Sequence, residues 1–508
     1  MREIYLIGVL AGMLTWSSLS AQKHDYNWVT GYEYDAADPF GNMRIDFNYQ
    51  PPKVFKENLK MNFQSCGGAC SDSLGNLLFY TNGIRIFNKN HQLMENGDTI
   101  NPGQVWYSTH LYGYVSSYPV AGLPVAKSSN IYYLFYSDIQ IGGTVTITYT
   151  KHLYYSIIDM TANNGLGKVL AKNQTLLEGE IMWPAFVKHA NGRDWWIMGM
   201  KRADTKHYLF LLSPTGISGP YMQDIGPPFD ETEYGGESLF SEGGELFLRH
   251  DSKTALRLYD FDRCSGQLSN LRIVPFQGDA YQHSFYAAFS PNSRFLYVSR
   301  PGSVWLLDLQ APDLSASYDT VANWELNYYP NYPWATGYSL NQLGPDGKVY
   351  WSNYGASQAM NILHRPDLPG DAADCEEAAL LLPRWSDLGL NQFPNYRLGE
   401  WEGSPCDTLN AQKPGDGFTA TLYDAAKISR DTAYTILPPI PGTKCADCTP
   451  RDLEWLNNPM GYIYALMVLR ETGKPPADWP TEKAEREGMF LRLPPTGKTV
   501  SKHFPTKE

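Results

Sequence analysis

A short turn–strand unit that recurs along the chain most constrains what this sequence can fold into. In residues 289–299 a Pro-Asn-Ser turn is followed by the run Phe-Leu-Tyr-Val. Proline pre-sets the backbone for a turn, asparagine and serine bond to it locally, and the aromatic and β-branched run suits a half-buried strand. Units of similar form occur at residues 70–80, 126–135, 188–197, 240–248 and 343–352.

The spacing of these units predicts the architecture. An aromatic residue occupies the same position in every copy, and successive copies are about 50–60 residues apart, a period typical of propeller blades. The aligned aromatics are Phe79, Phe135, Trp196, Phe247, Tyr297 and Tyr350. Each unit is followed by a second strand-like run and a polar turn, so we predict an all-β fold, a β-propeller of short antiparallel strands. The alternative is a β-sandwich whose turns resemble one another by chance.

Composition divides the chain into four parts. These are a signal peptide (1–21), the propeller (22–403), a Pro/Gly-rich linker (404–450) and a small β-rich C-terminal domain (451–508). Residues 26–69 precede the first clear repeat unit, and residues 391–398 follow the last. We expect these two stretches to meet in one blade, because joining the chain ends removes the open edges of a partial ring. The resulting count is seven blades, with six as the alternative.

The start of the chain has the parts of a signal peptide. A basic start at Arg2 precedes an apolar core at residues 4–16 and a run of small residues that ends at Ala21. The core is too short to span a bilayer comfortably, and no later apolar run reaches spanning length. We therefore predict an exported protein without a membrane-spanning segment, outside the cell or on its outer surface, that passes through the periplasm. Its mature chain would begin at Gln22.

Export allows the seven cysteines, all of which follow the signal peptide, to oxidise. We expect structural disulfides and leave Cys264 as the unpaired thiol. The candidate pairs are Cys66 with Cys70 around a Gly-Gly turn, Cys375 with Cys406 around the last blade-like segment, and Cys445 with Cys448 in the linker. The linker pair lacks a second Cys or His pair at ligand spacing, so no metal site is predicted.

Charge and motifs narrow the range of functions. The formal net charge of −12 argues against nucleic acid as a partner, since its phosphates attract basic surfaces. The sequence has no nucleophile elbow, no His-Glu-x-x-His and no phosphate-binding glycine loop, so we assign no catalytic residue and no cofactor. Paired carboxylates such as Glu178 with Glu180, or Glu231 with Glu233, would suit a glycosidase. Solvated loop charge is the simpler explanation for them.

Aromatic residues mark the candidate binding surface. The start of each innermost strand of a propeller faces the central channel and one rim, and the corresponding positions here are rich in aromatic side chains. They are Trp106, Trp183, Tyr234, Tyr281, Trp334 and Tyr338, with His283 beside one of them. Aromatic faces offer a large contact area to sugar rings or to a protein partner. Packing between blades is the alternative role for most of them.

The end of the chain resembles a known export signal. Residues 488–493 begin with Gly-Met-Phe-Leu, and a Gly-Lys turn at residues 497–498 leads into a basic last strand that ends at Phe504. This pattern resembles the final hairpin of a type IX secretion C-terminal sorting domain, with the upstream part reduced to Asn458-Pro459 and residues 470–473. The resemblance implies that the export machinery recognises this domain.

The propeller region resembles the exported WD-repeat-like propeller proteins of the Bacteroidota. The residues that carry this resemblance are Ser71 to Gly83 and Phe393 to Gly399. The group has no single activity, and a fold alone does not define a function. We expect a non-enzymatic binding or scaffold protein whose partner is a protein or a polysaccharide at the cell surface. The alternative is a secreted hydrolase or lyase that acts on polysaccharide.

Overall fold

The computed structural model describes the part of the chain in which the repeat units lie. The described residues are 22–34, 36–63, 67–103, 105–106, 110, 120–125, 130–141, 148–229, 236–250, 255–276, 286–300, 302–323, 337–353, 357–386, 389–404, 406, 420–422 and 434–436. The chain separates into two units, Met1–Asp407 and Thr408–Glu508.

The first unit is a seven-bladed β-propeller, as the repeat spacing predicts. Its seven antiparallel blades comprise five four-stranded and two three-stranded sheets. Blade 1 contains β1 (Asn27–Gly31), β2 (Asn42–Asp46) and β3 (Lys53–Lys56), and blade 2 contains β4 (Gly68–Ser71), β5 (Leu77–Thr81) and β6 (Ile86–Asn88). Blade 3 contains β7 (Ala121–Pro124), β8 (Ile131–Ser137), β11 (His152–Asp159) and β12 (Lys168–Glu178), with the small hairpin β9 (Gln140–Ile141) and β10 (Thr148–Tyr149) inserted.

The remaining blades each have four strands in chain order. Blade 4 contains β13 (Ala185–Lys188), β14 (Trp195–Met200), β15 (Lys206–Ser213) and β16 (Gly216–Asp224), and blade 5 contains β17 (Ser238–Phe240), β18 (Leu246–His250), β19 (Ala255–Asp262) and β20 (Gln267–Pro275). Blade 6 contains β21 (Tyr286–Phe289), β22 (Phe295–Arg300), β23 (Ser303–Asp308) and β24 (Asp319–Asn323), and blade 7 contains β25 (Asn341–Leu343), β26 (Val349–Trp351), β27 (Ser357–Leu363) and β28 (Cys375–Ser386).

The recurrent turns occupy equivalent places between the first and second strands of their blades. In the five of these turns that the structure describes, the fourth residue donates its backbone N–H to the carbonyl of the first, as Gly347 does to Gly344 and Ser293 does to Ser290, both at 2.9 Å. The fourth residue has a positive φ in every case, which is the reason that glycine is preferred there. The equivalent fourth residues are Gly75, Gly192, Gly244, Ser293 and Gly347. The equivalence of the turns at 291–293 and 345–347 is therefore confirmed.

The aligned aromatics form the core between blades. All six lie on the second strand of their blade and are at most 5% exposed. Because successive side chains of a strand point to opposite faces, each blade packs against both of its neighbours. Trp196 of blade 4 and Phe247 of blade 5, for example, belong to one buried cluster. Burial of such large side chains stabilises the ring by about 1.5–3 kcal/mol each.

The chain ends meet at blade 1, although not as a regular ladder. Asn391 accepts a hydrogen bond from the backbone N–H of Val29 through Oδ1 at 2.7 Å, and Thr30 donates its hydroxyl to the carbonyl of Gly389 at 3.0 Å. Residues 389–398 therefore return to β1 as expected, but side-chain bonds make the contact and these residues form no strand. Blade 1 obtains its regular strands from the N-terminal part of the chain alone.

The cysteine pairing differs from the prediction. Cys406 is bonded to Cys264, whereas Cys70 and Cys375 are free thiols. The expected Cys66–Cys70 and Cys375–Cys406 pairs are therefore wrong, and so is the unpaired role given to Cys264. The reason is that residues 389–404 leave blade 7 and run to blade 5, where the turn after β19 carries Cys264. Cys66, Cys445 and Cys448 lie outside the described residues.

In the region predicted as a linker, two short strands pair with each other. These are β29 (Ala420–Leu422) and β30 (Tyr434–Ile436), which are antiparallel with Thr421 opposite Thr435. The sequence of the linker predicts one strand pair that includes the run Phe-Thr-Ala-Thr-Leu-Tyr at residues 418–423, and β29 lies within that run. Within the described residues, no helix has both the length and the apolar character needed to cross a membrane. The predicted signal peptide and the sorting-like hairpin lie outside these residues.

Candidate functional site at the propeller axis

A single stretch of chain, which we call the crossing segment (residues 389–406), passes across the centre of the ring. Phe393 donates its backbone N–H to Gln342 Oε1 on β25 at 2.9 Å. Asn395 donates Nδ2–H to the carbonyl of Glu242 in blade 5 at 2.9 Å. The hydroxyl of Tyr396 donates to the carbonyl of Gly122 on β7 at 2.8 Å. These partners belong to blades 7, 5 and 3, so the segment reaches innermost strands, or the turns that follow them, at widely separated places around the ring.

The first described residues of the propeller lie against the same segment. Arg397 donates through Nη1 to both carboxylate oxygens of Asp25 at 2.7 Å, and the Asp25 side chain is 2% exposed. Burial raises the pKa of Asp25, and the adjacent guanidinium opposes that rise. His24 donates Nδ1–H to the carbonyl of Ser71 at 2.7 Å, and burial lowers its pKa to about 4, so its ring is neutral at pH 7. The two ends of the propeller chain are thus tied together at the axis.

Beyond Arg397 the crossing segment follows the surface that carries the short turns. The backbone N–H of Trp401 donates to the carbonyl of Ala190 at 2.8 Å, and Arg263 Nη2 donates to the carbonyl of Gly399 at 2.6 Å. A Cβ atom on Gly192 would lie 2.6 Å from the backbone nitrogen of Glu400. Only glycine permits so close an approach of two backbones, so this turn is shaped to receive the segment.

A cavity of about 90 Å³, partly open to solvent, lies between the crossing segment and blades 4 to 7. Apolar, amide and carboxyl side chains line it, among them Trp183, Glu237, Glu242, Asn341, Gln342 and Phe393. Small-molecule pockets usually measure about 300–1,000 Å³, so this space has room for a few water molecules rather than for a sugar ring.

Two carboxyl groups of blade 5 line this cavity. Glu237 is 3% exposed and accepts the backbone N–H of Ala287 through Oε2 at 2.8 Å. Burial raises the pKa of Glu237 to about 8, although that hydrogen bond and Arg249 oppose the rise. Burial also raises the pKa of Glu242 to about 7, against the attraction of Arg397. The carboxyl group of Glu237 is therefore mostly protonated and uncharged at neutral pH.

The predicted rim aromatics are placed in two kinds of environment. Trp183 precedes β13, lines the cavity and packs edge-on against Tyr286 with ring centroids 6.0 Å apart. Tyr338 is 3% exposed and packs against Trp351 in the cluster between blades 6 and 7. Trp106 is partly buried against the cluster of blades 2 and 3 and stacks on His110. Tyr234, Tyr281, His283 and Trp334 lie outside the described residues, so the grouping of the predicted set stays a prediction.

The predicted carboxylate pair of blade 3 has ionic partners. Glu178 lies 3.2 Å from Lys151 Nζ, and Glu180 lies 3.2 Å from Arg202 Nε. Glu231 and Glu233 lie outside the described residues. No group of three or more His, Cys, Asp or Glu side chains in the described ranges could hold a metal ion.

The residues at the axis were not singled out as a site by the sequence. Arg397 and Tyr396 belong to a Phe-Pro-Asn-Tyr-Arg stretch that the sequence marks as the return to the ring and as similar to other propellers, but not as a site. Asp25 and Glu237 carry no local signal, because each is a single acidic residue beside a strand. A feature that could have directed attention to Glu237 is its place at the start of an innermost strand, where we considered only aromatic side chains.

Comparisons with known proteins match solved structures, one of which is described as a β-propeller domain. No family model and no curated protein sequence matches the chain. A periplasmic gluconolactonase of Pseudomonas aeruginosa is 12% identical, with 72% of this chain and 98% of that chain covered and a TM-score of 0.43. A Lactobacillus plantarum protein is 11% identical, with 72% and 99% covered and a TM-score of 0.42. The Cps50 (Swd1) β-propeller domain of Myceliophteria thermophila is 9% identical, with 64% and 92% covered and a TM-score of 0.35. Similarities at such low identity and TM-score define neither an activity nor a substrate.

Proposed function

We propose that the chain is an exported, non-enzymatic β-propeller that binds a protein or a polysaccharide. The observation that supports this function best is the occupation of the axis by the crossing segment. The cavity left there is about 90 Å³, which is smaller than the pockets that hold a sugar or another small substrate. Recognition of a large partner therefore belongs on an outer surface of the ring.

The long connections between blades supply the aromatic side chains for such a surface. The short turns and the crossing segment share one end of the ring, which we call the turn end. At the other end, which we call the connection end, each outermost strand finishes and the chain passes to the next innermost strand. The connection from β24 to β25 spans residues 324–340. Its sequence contains Trp324, Tyr328, Tyr329, Tyr332 and Trp334 before the buried Tyr338. Such a concentration of aromatic rings suits sugar stacking or a protein hot spot.

A pair of tryptophan substitutions tests the location of the binding surface. The purified mature protein is immobilised, and its retention of cell-surface polysaccharide and of cell-surface protein is measured separately. Trp334→Ala should weaken binding of the true partner by roughly tenfold or more, because an aromatic anchor contributes about 2 kcal/mol. Trp401→Ala is the matched control, because Trp401 is 46% exposed and lies at the turn end. The proposal is wrong if both variants lose affinity equally, or if the protein retains neither polysaccharide nor protein.

Glu237 gives one reason to keep the hydrolase alternative. A carboxyl group that is protonated at neutral pH is the form that a general acid requires in glycoside hydrolysis. If the protein is such an enzyme, incubation with polysaccharide releases new reducing ends, and Glu237→Gln abolishes that release. Under the binding proposal the polysaccharide is retained without a change in its length.

Export by the type IX route is the second part of the proposal. Its supports are the signal-peptide pattern at residues 1–21, the sorting-like ending at residues 488–504 and a disulfide, since disulfides persist in oxidising compartments. Deletion of residues 488–508 should leave the protein in the periplasm with its signal peptide removed. If the shortened protein reaches the cell surface or the medium as efficiently as the intact one, the sorting role is wrong while the binding role is unaffected.

A further inference from the structure

The crossing segment consists of two parts that are fastened in different ways. Residues 391–397, which we call the anchor, include the fully buried Asn391 and Tyr396 and the Arg397–Asp25 ion pair. Residues 398–406, which we call the strap, are mostly exposed between Gly399 and Gly403. The anchor lies in the ring, whereas the strap lies on its surface.

Hydrogen bonds, packing and one covalent bond hold the strap. Trp401 donates its backbone N–H to Ala190, Arg263 donates to the carbonyl of Gly399, and Glu400 forms an isolated bridge with Asn191. Leu398 packs against the buried cluster of blades 4 and 5, and Arg263 is buried, so the start of the strap is firmly fixed. From Glu400 to Gly403 the residues are exposed, and the Cys264–Cys406 disulfide is the covalent restraint at this end.

We propose that the Cys264–Cys406 disulfide is a redox latch that keeps the exposed part of the strap on the turn surface of blades 4 and 5. When the bond is oxidised, this part is held between the Glu400–Asn191 bridge and the turn that carries Cys264. When the bond is reduced, residues 400–404 and Cys406 detach, while the anchor, Leu398 and Gly399 stay in place.

The surroundings of the disulfide suit exchange with a dithiol. Both cysteines are only partly buried, so a thiolate can approach. The backbone N–H of Asn191 donates to His189 Nδ1 at 3.1 Å, and the proton of the neutral ring is therefore on Nε2. That Nε2 lies 3.0 Å from the carbonyl of Cys264 and 3.9 Å from Cys406 Sγ. A ring N–H beside Cys406 Sγ stabilises negative charge on that sulfur, which makes Cys406 the better leaving group.

A dithiol of the thioredoxin-fold class, or dithiothreitol, supplies the electrons for this exchange. One thiolate of the reductant forms a bond to Cys264 Sγ, the Cys264–Cys406 bond breaks, and its electron pair goes to Cys406 Sγ, which takes up a proton. The second thiol of the reductant, as its thiolate, attacks the mixed disulfide and releases Cys264, which is then protonated. Two electrons and two protons pass to the protein, and the reductant is left as a disulfide.

Limited proteolysis tests the latch. The strap contains Glu400 and Glu402 and no Lys or Arg, so a glutamate-specific protease cuts within it. In the full-length mature protein, dithiothreitol should accelerate cleavage after these two residues by tenfold or more. Cys264→Ser and Cys406→Ser should have the same effect without reductant. Cys375→Ser is the matched control, because Cys375 is a partly buried thiol outside the latch.

Hydrogen exchange of the blades separates release of the strap from unfolding. Backbone protection of β14, β18 and β22 should be the same in the oxidised and reduced protein. Two outcomes would overturn the latch: unchanged cleavage after Glu400 and Glu402 on reduction, or loss of protection in all three strands together with the strap. Because the reduced wild-type protein is prepared after folding, failure of a serine variant to fold leaves the test decisive.

Discussion

Residues 391–397 make contacts with the start of the propeller chain and with blade 3, and we call these contacts the joint. Blades 5 to 7 and the joint are held together by different means. In blade 6, β21, β22, β23 and β24 pair with strands that are adjacent in sequence, and short turns connect most of them. At the joint, single side chains connect residues that are 362, 372 and 274 positions apart, namely Asn391 with Val29, Arg397 with Asp25, and Tyr396 with Gly122. The blades have many equivalent bonds, whereas the joint has a few unique ones.

This difference determines how each region responds to a lost contact. A ladder bond or a surface ion pair of a blade has neighbours that keep the strands in place, so its loss is local. A bond of the joint has no equivalent, and its partner stays buried after the change. The penalty at the joint is then the cost of an unsatisfied buried group, which exceeds the net value of a typical hydrogen bond.

Arg397→Ala is expected to have the largest effect on this comparison. It leaves Asp25, whose side chain is 2% exposed, without its cation, and breaking a buried pair in this way costs about 3 kcal/mol. Chemical denaturation of the full-length protein measures the loss. Arg294→Ala is the control within a blade, because Arg294 pairs with Asp308 at 2.7 Å on the surface. Its loss should be much smaller, since both groups remain hydrated.

The double variant Asp25→Asn, Arg397→Met sharpens the same point. With neither charge present no ion remains buried, so most of the stability lost in Arg397→Ala should return. If Arg397→Ala and Arg294→Ala destabilise the protein equally, the joint is no more sensitive than a blade and the contrast fails.

The contrast also explains which features the sequence predicts. A blade recurs, so the turn signature and the aligned aromatics predict seven blades, the second strand of each and the equivalence of the turns. The return of residues 391–398 was predicted from the need to close a ring, and its contact with β1 is present. The route of those residues onward to blade 5 follows from no repeated pattern, because the joint occurs once.

The errors arise from that route. Cys375 and Cys406 are near in sequence, and spacing alone favours their pairing, yet the crossing segment carries Cys406 to the turn of Cys264. Asp25 and Glu237 were not identified for a related reason. The perturbed pKa of each depends on burial by distant parts of the chain, and a single sequence does not reveal which acidic residue becomes buried.

Glu237→Gln measures how much the buried carboxyl group of a blade contributes to stability, for comparison with the ion pair of the joint. The pKa of Glu237 is raised from its ordinary value of 4.5 to about 8, so the folded state holds a proton that the unfolded state has lost. The stability that this proton contributes is fully present below about pH 4.5 and is lost as the pH rises towards 8. Glutamine has no such dependence and keeps an oxygen for the Ala287 N–H. The variant should therefore gain about 2 kcal/mol relative to the wild type between pH 5 and pH 6.5.

Denaturation of both proteins at each pH isolates this contribution, because the other titrating groups cancel in the difference. They include His24 and His250, whose pKa values burial lowers to about 4 and about 3, so their effect on stability has the opposite sign. Glu402→Gln, a substitution at an exposed carboxyl group, is measured in the same way as the surface control. A flat difference for Glu237→Gln would show that its carboxyl group is ionised in the folded protein.

The smallest expected effect is at Ser293, where two contributions oppose each other within a blade turn. Ser293 has φ +57° at the position that glycine fills in four equivalent turns, and a non-glycine residue there costs about 1 kcal/mol. Its Oγ accepts the backbone N–H of Gly243 from the neighbouring blade at 3.2 Å, which is worth about 1 kcal/mol.

Ser293→Gly removes both contributions and should leave the free energy of unfolding within about 0.5 kcal/mol of the wild type. Ser293→Ala keeps the strain and loses the bond, so it should destabilise the protein by about 1 kcal/mol. If denaturation gives the two variants the same free energy of unfolding, the bond between the turns of blades 5 and 6 contributes nothing to stability.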